Sequence, residues 1–184
     1  MTPARAMEAW TPAMPMRNIV VYQGEYRVSA DPGVVLSTLL GSCVATCMFD
    51  PVARIGGMNH FLLACDPTGR ARCERFGLHA MEVLINSLLK RGARKSRLEA
   101  KLFGGATLEG RMGRIGDENA RFALDFLAAE GLVCRARSLG GNRGRRLRFV
   151  PGSGVASQCF IDHAPMPRPV LPPPDASDVL FFEE

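Results

Sequence analysis

One hundred and eighty-four residues, 47% hydrophobic and 22% charged, are an ordinary globular composition and exclude a disordered chain. The longest uncharged stretch, residues 32–49, of which 34–49 is the apolar part, falls short of the roughly 20 apolar residues of a membrane span and is interrupted by Ser37, Thr38, Gly41, Ser42 and Thr46. The net charge of +5 raises nucleic acid as a partner, but the 20 Arg and 3 Lys are scattered with no aromatic ladder between them, so an ordinary solvated basic surface is expected instead.

Residues 1–18 carry several Met and Pro, lack the basic and apolar regions of a secretory signal, and read as a loose leader. The folded unit is expected over 19–163, in a cytoplasmic protein. Its first strand is expected at 19–23, and Asp31-Pro32-Gly33 is turn chemistry. The apolar run 44–49 and its return at 56–63 form a β-hairpin with a five- or six-residue connection opened by Asp50-Pro51. Phe76, Ala80, Val83, Leu84 and Leu88 then recur at helical spacing, with Lys90 and Arg91 in the last turn and Gly92 at the C′ position. Residues 97–103 alternate as a strand that Gly104-Gly105 breaks. A second helix starts near Gly116-Asp117 and closes at Gly131, and strands follow at 132–137, 145–150 and 155–161. Gly140-Gly141-Asn142-Arg143 reads as a hairpin turn in preference to a site loop. From 164 to 184 the chain is Pro-rich with an acidic end and reads as an extended tail. About nine strands and two main helices give a single-domain α+β fold, with helices packed on a largely antiparallel sheet.

Chemistry is sought among Cys and His. Size and the missing signal favour reduced thiols over a disulfide framework for the six cysteines, at 43, 47, 65, 73, 134 and 159. Cys43, Cys47, His60, Cys65, Cys73 and His79 contain no C-x-x-C pair, so no metal site is assigned. Cys47, Cys134 and Cys159 sit in apolar strands and read as small buried hydrophobes. His79, on the first helix, and His163, at the tail junction, read as structural or solvated. Cys43 differs, because Leu40-Gly41-Ser42 places it at a glycine-bearing turn. Such a turn exposes a nucleophile and leaves the Ser42 and Cys43 amides free to hold an oxyanion. If the hairpin turn centres near residues 52–53, His60 lies opposite or diagonal to Cys43, within reach of a thiol–imidazole pair. A shift of one residue in that turn would put the two on opposite faces, leaving a buried Cys and a structural His.

Leu40-Gly41-Ser42-Cys43-Val44-Ala45, Asp50-Pro51 and Gly57-Met58-Asn59-His60-Phe61-Leu62-Leu63 resemble the signature region of the CheD family, the chemoreceptor glutamine deamidases of bacterial and archaeal chemotaxis. Further pieces match in order: Glu25-Tyr26, Asp31-Pro32-Gly33, Glu99-Ala100-Lys101, Gly104-Gly105-Ala106, Ile115-Gly116 with Asn119, and Gly140-Gly141-Asn142-Arg143. The resemblance spans roughly residues 20–162. It implies an α/β/β-type sandwich similar to deamidating toxin catalytic domains. It also implies a Cys–His hydrolase, with Cys43, His60 and an upstream hydroxyl, that converts receptor glutamines to glutamates and in some members hydrolyses receptor methyl esters. By position the hydroxyl is Ser37, six residues before Cys43; by residue type it is Thr38, five before. The ungapped count favours Ser37. No metal or organic cofactor is implied. The implied partners are the cytoplasmic helical region of chemoreceptors, met without membrane insertion, and in some organisms a CheC-type phosphatase. The alternative is a non-enzymatic regulatory module that binds such a phosphatase or receptor.

Overall fold

The computed structural model describes residues 16–63, 70–107 and 113–161. Most of the expected leader and the Pro-rich tail, with Cys65 and His163, lie outside these residues. Nine strands and two helices are present among the described residues: β1 (Arg17–Val20), β2 (Tyr26–Ser29), β3 (Val34–Leu40), β4 (Val44–Asp50), β5 (Ile55–Phe61), α1 (Arg70–Lys90), β6 (Glu99–Gly104), α2 (Gly113–Ala129), β7 (Val133–Leu139), β8 (Gly144–Val150) and β9 (Val155–Ile161). β1 begins inside the expected leader, and neither β2 nor β3 has a counterpart among the strands placed by the sequence; the run Tyr26-Arg27-Val28-Ser29 is short and carries a charge. Both helices begin earlier than their apolar periodicity, α1 at Arg70 and α2 at Gly113. α1 ends as expected, with Lys90 in its last turn and Gly92 at a φ of 99°.

The strands form two sheets, one ordered β1-β3-β8-β9 and the other β2-β5-β4-β6-β7. Every pairing is antiparallel except β1 with β3 and β6 with β7. Alternation along β4 sorts its side chains to two sides, as a pleated strand buried on both faces requires. Ala45 and Cys47, with Met58 and Phe103, meet Leu36, Leu40, Leu147 and Phe149 of the four-stranded sheet in one core. Val44 and Met48, with Phe61 and Leu102, meet Met81, Leu84, Leu88, Ala123 and Leu127 of the helices in another. The layers therefore run helices, five-stranded sheet, four-stranded sheet.

The β4–β5 hairpin has a four-residue connection, 51–54, one or two residues shorter than expected. The buried Asp50 carboxylate accepts from the Val52 and Ala53 amides at 2.9 and 3.0 Å, tightening the turn around Arg54 at a φ of 53°. The turn centre is where the sequence placed it, so Ala45 pairs with His60. The expectation for Gly140-Gly141-Asn142-Arg143 is corrected: β7 and β8 lie in different sheets, so this segment is a crossover and no hairpin turn. Arg145, buried at the start of β8, donates to the Ser138 and Gly140 carbonyls and to Ser138 Oγ at 3.0 Å, fastening the crossover across its base.

Candidate active site

The site lies at the end of the two facing sheets where β4 begins. β3 turns Leu36, Thr38 and Leu40 toward the inter-sheet core, so Thr38 is buried and Leu39 exposed. Thr38 Oγ1 lies 2.8 Å from Nδ1 of His60 on β5. Ser37 faces the other way, beside Asn18, Val20, Arg146 and Arg148. The side chain that reaches His60 is thus Thr38, and the preference for Ser37 is corrected by one position. The ungapped count followed chain length and could not see which face of β3 is covered.

The hydrogen-bond inventory decides the state of the imidazole. Thr38 Oγ1 also lies 2.8 Å from the Val21 carbonyl, which only accepts, so the hydroxyl proton is directed there. Nδ1 stands 3.3 Å from the same carbonyl. Nδ1 must therefore carry a proton, donated to Thr38 Oγ1, and Nε2 is left with its lone pair. Nε2 is enclosed and has no hydrogen-bond partner among the described residues. Burial holds the His60 pKa below its ordinary value, with the Val21 contact opposing that fall in part. At neutral pH the ring is an uncharged base.

Cys43 ends the Gly41-Ser42-Cys43 turn and is half-buried. Since Ala45 opposes His60, Cys43 sits diagonally from His60 across the hairpin, on the same sheet face. Its sulfur is turned to Gln23, whose Oε1 lies 3.5 Å away, and makes no hydrogen bond to His60. Burial raises the thiol pKa, opposed by the Cys43 backbone N–H beside the sulfur. The resting pair is therefore thiol and imidazole, not thiolate and imidazolium.

The turn under Cys43 is fixed through its carbonyls. Gly105 N–H donates to Cys43 O at 2.7 Å, and Ala106 N–H to Gly41 O at 2.8 Å. Buried Asn119, on α2, donates from Nδ2 to Ser42 O at 2.9 Å, while its Oδ1 accepts the Leu63 amide at 2.7 Å. Gly104, at a φ of 115°, has no room for a side chain, since a Cβ there would stand 2.1 Å from Cys43 O. The Gly104-Gly105 pair is thus required by the closeness of this loop to the turn. With the carbonyls engaged, the Ser42 and Cys43 amides have no partner among the described residues beyond the Cys43 sulfur itself.

Cys47 is buried in the inter-sheet core, where burial drives its thiol pKa far up. Cys134 and Cys159 are not buried as expected: β7 and β9 are edge strands, leaving Cys134 half-buried and Cys159 exposed. His79 is exposed on α1. Asn59, next to His60, points to the helices and bonds the Ala80 carbonyl at 3.0 Å. Reading the sequence missed Gln23, Arg145 and the role of Asn119. The signal for Gln23 was its place before Gly24-Glu25, a turn whose Gly24 N–H donates to His60 O at 2.7 Å and whose Glu25 O accepts from His60 N–H at 3.0 Å.

The CheD family model, described as CheD chemotactic sensory transduction, matches residues 65–158. A Rhizobium meliloti protein is 48% identical over 90% of this chain and 96% of its own length. A Rhizobium leguminosarum bv. trifolii protein is 49% identical with the same coverage, and a Cereibacter sphaeroides protein 52% identical over 79% of this chain and 73% of its own. Each carries the name "Probable chemoreceptor glutamine deamidase CheD". The chain belongs to the CheD family.

Proposed function

We propose that the protein is a cysteine hydrolase that deamidates chosen glutamines of methyl-accepting chemotaxis receptors. The observation that carries this reading is the oriented imidazole: Thr38 and Val21 hold the Nδ1 proton, and His60, with Nε2 unpartnered among the described residues, lies on the sheet face that bears Cys43.

The thiol proton passes to His60 Nε2 as the sulfur leaves Gln23 and attacks the substrate's side-chain carbonyl carbon. The carbonyl electron pair moves to oxygen, where the Ser42 and Cys43 amides receive the charge. The imidazolium returns its proton to the departing nitrogen, so ammonia and not an amide anion leaves, and a thioester remains. Nε2 then takes a proton from water, whose oxygen attacks the thioester. The sulfur leaves, recovers the proton, and glutamate is released. A methyl ester enters the same sequence with methanol as the leaving group. Because the resting pair is uncharged, the thiolate forms only as substrate arrives.

The receptor's helical cytoplasmic surface is the proposed substrate face, and the protein acts there from the cytoplasm. Among the described residues no helix is long and apolar enough to cross a membrane. Likeness to deamidating toxins and restraint by a CheC-type phosphatase are carried by the family resemblance alone. The test is to incubate wild-type and Cys43→Ala protein with the organism's receptor cytoplasmic fragments and map Gln-to-Glu conversion by peptide mass spectrometry. Conversion by wild type alone is expected. Equal conversion by a folded Cys43→Ala protein refutes the covalent mechanism, and receptor binding without conversion by wild type leaves the non-enzymatic module.

A further inference from the structure

Gln23 is exposed, yet its carboxamide is the group that meets the Cys43 thiol. Its position is tied to the base. The 22–25 turn is held to both backbone groups of His60, and Val21, two residues earlier, supplies the carbonyl that orients the imidazole. Gln23 is therefore anchored to the backbone of the base while its side chain faces the sulfur. We propose that Gln23 is a further catalytic residue, the side-chain donor that stabilises the oxyanion formed when Cys43 attacks a carbonyl.

The chemistry follows from the two ends of a carboxamide. Oxygen and NH₂ are alike in size and exchange places by half a turn about the last side-chain bond. Facing a thiol, the oxygen end accepts, as it does here at 3.5 Å. Once the sulfur is bonded to the substrate carbon, no S–H remains to be accepted, and the nearest new charge is the substrate oxygen, one bond beyond. The complementary end is then Nε2–H, joining the Ser42 and Cys43 amides. Being neutral, the group leaves the thiol and imidazole uncharged at rest, and it strengthens its contact only as charge develops. No proton or electron changes hands at Gln23.

This assignment rests on Cys43 acting as a nucleophile, so its test separates attack on a carbonyl from reactivity of the sulfur alone. Acylation of Cys43 by p-nitrophenyl acetate builds an oxyanion and needs no receptor, whereas alkylation by iodoacetamide builds none. For Gln23→Ala and for Gln23→Glu, which keeps the shape but loses the donor, acylation should slow by about 10²-fold, as loss of one oxyanion donor does. In Gln23→Ala, which adds no charge beside the sulfur, alkylation should stay within about two-fold of wild type, and kcat on receptor fragments should fall with KM little changed. Acylation at the wild-type rate in Gln23→Glu overturns the proposal. So does a parallel fall in both reactions in Gln23→Ala, which would make Gln23 a prop for the sulfur. Faster alkylation with undiminished acylation would make it a cover over the thiol. Conversion of Gln23 itself to Glu in wild type but not Cys43→Ala would make it a substrate, and also overturns the donor role. If the variants lose acylation as expected while wild type converts no receptor glutamine, the deamidase reading fails and the role of Gln23 stands.

Discussion

Thr38 and Ser37 differ by one position in the chain and by the whole thickness of a sheet in space. Only Thr38 Oγ1 can both donate to Val21 O and accept from His60 Nδ1, and that pair of bonds leaves Nε2 as the base. Thr38→Val should therefore lower kcat by about 10²-fold, at the low end of what a general acid–base group supplies, and Thr38→Ser should restore most of it. As Thr38 acts through His60, its loss should also displace the acid limb of the pH–rate profile, which in wild type should lie below the ordinary histidine value because burial lowers the His60 pKa. Ser37→Ala should change neither quantity. A crippled Ser37→Ala beside a normal Thr38→Val would put the wrong hydroxyl on His60. At this scale the sequence was legible to within one residue: the Cys43–His60 relation followed from the turn centre, but choosing between adjacent hydroxyls required knowing which face of β3 the second sheet covers. Gln23 was legible only as the residue before the Gly24-Glu25 turn, and for a different reason. Its contact with Cys43 spans twenty residues and passes between loops that obey no period.

The elements around the site were read well where a period runs long and poorly where sheets meet. β4, β5 and the end of α1 follow from apolar alternation, helical spacing and Gly92. The assignment of β7 and β8 to different sheets does not, because a Gly-Gly-Asn turn serves a crossover as readily as a hairpin. Nor does α2's function, which is to carry Asn119 under the Cys43 turn. Asn119 ties α2 both to that turn and to the chain leaving β5. Asn119→Leu would leave a buried carbonyl and a buried amide unpaired, at a cost of about 2–4 kcal/mol in urea denaturation. The turn would lose the clamp at Ser42, so kcat should fall while His60, held by other elements, keeps the acid limb where it was. A shifted acid limb in Asn119→Leu would show that α2 also positions the base.

The whole molecule should weaken in acid in two steps, and the sign of each follows from a group that the fold holds in its unprotonated form. His60 is buried and neutral, with a pKa below its ordinary value near 6.5. As pH falls below that value the unfolded chain takes up a proton that the folded one still refuses, so stability begins to decline there. The second step belongs to Asp50. Burial alone would raise its pKa, but Arg97, at 2.8 Å, and the Val52, Ala53 and Arg94 amides outweigh burial and hold it well below its ordinary value near 3.8. Stability from Asp50 is fully present above that ordinary value and is lost as pH falls below it toward the folded pKa. The carboxylate joins the β4–β5 turn, which sets the Cys43–His60 register, to the 94–97 segment before β6. Protonating it thus loosens both at once. Urea denaturation from pH 8 to 3 should show a shallow fall below about pH 6.5 and a steeper one below about pH 4. Asp50→Asn should lower stability at pH 7 by about 3 kcal/mol, since it leaves Arg97 facing a neutral group, and should remove the steeper step. His60→Asn should remove the shallow step and keep the steep one. A steep acid transition that persists unchanged in Asp50→Asn would assign the acid sensitivity to other carboxylates and reduce the Asp50–Arg97 pair to a local brace of the turn.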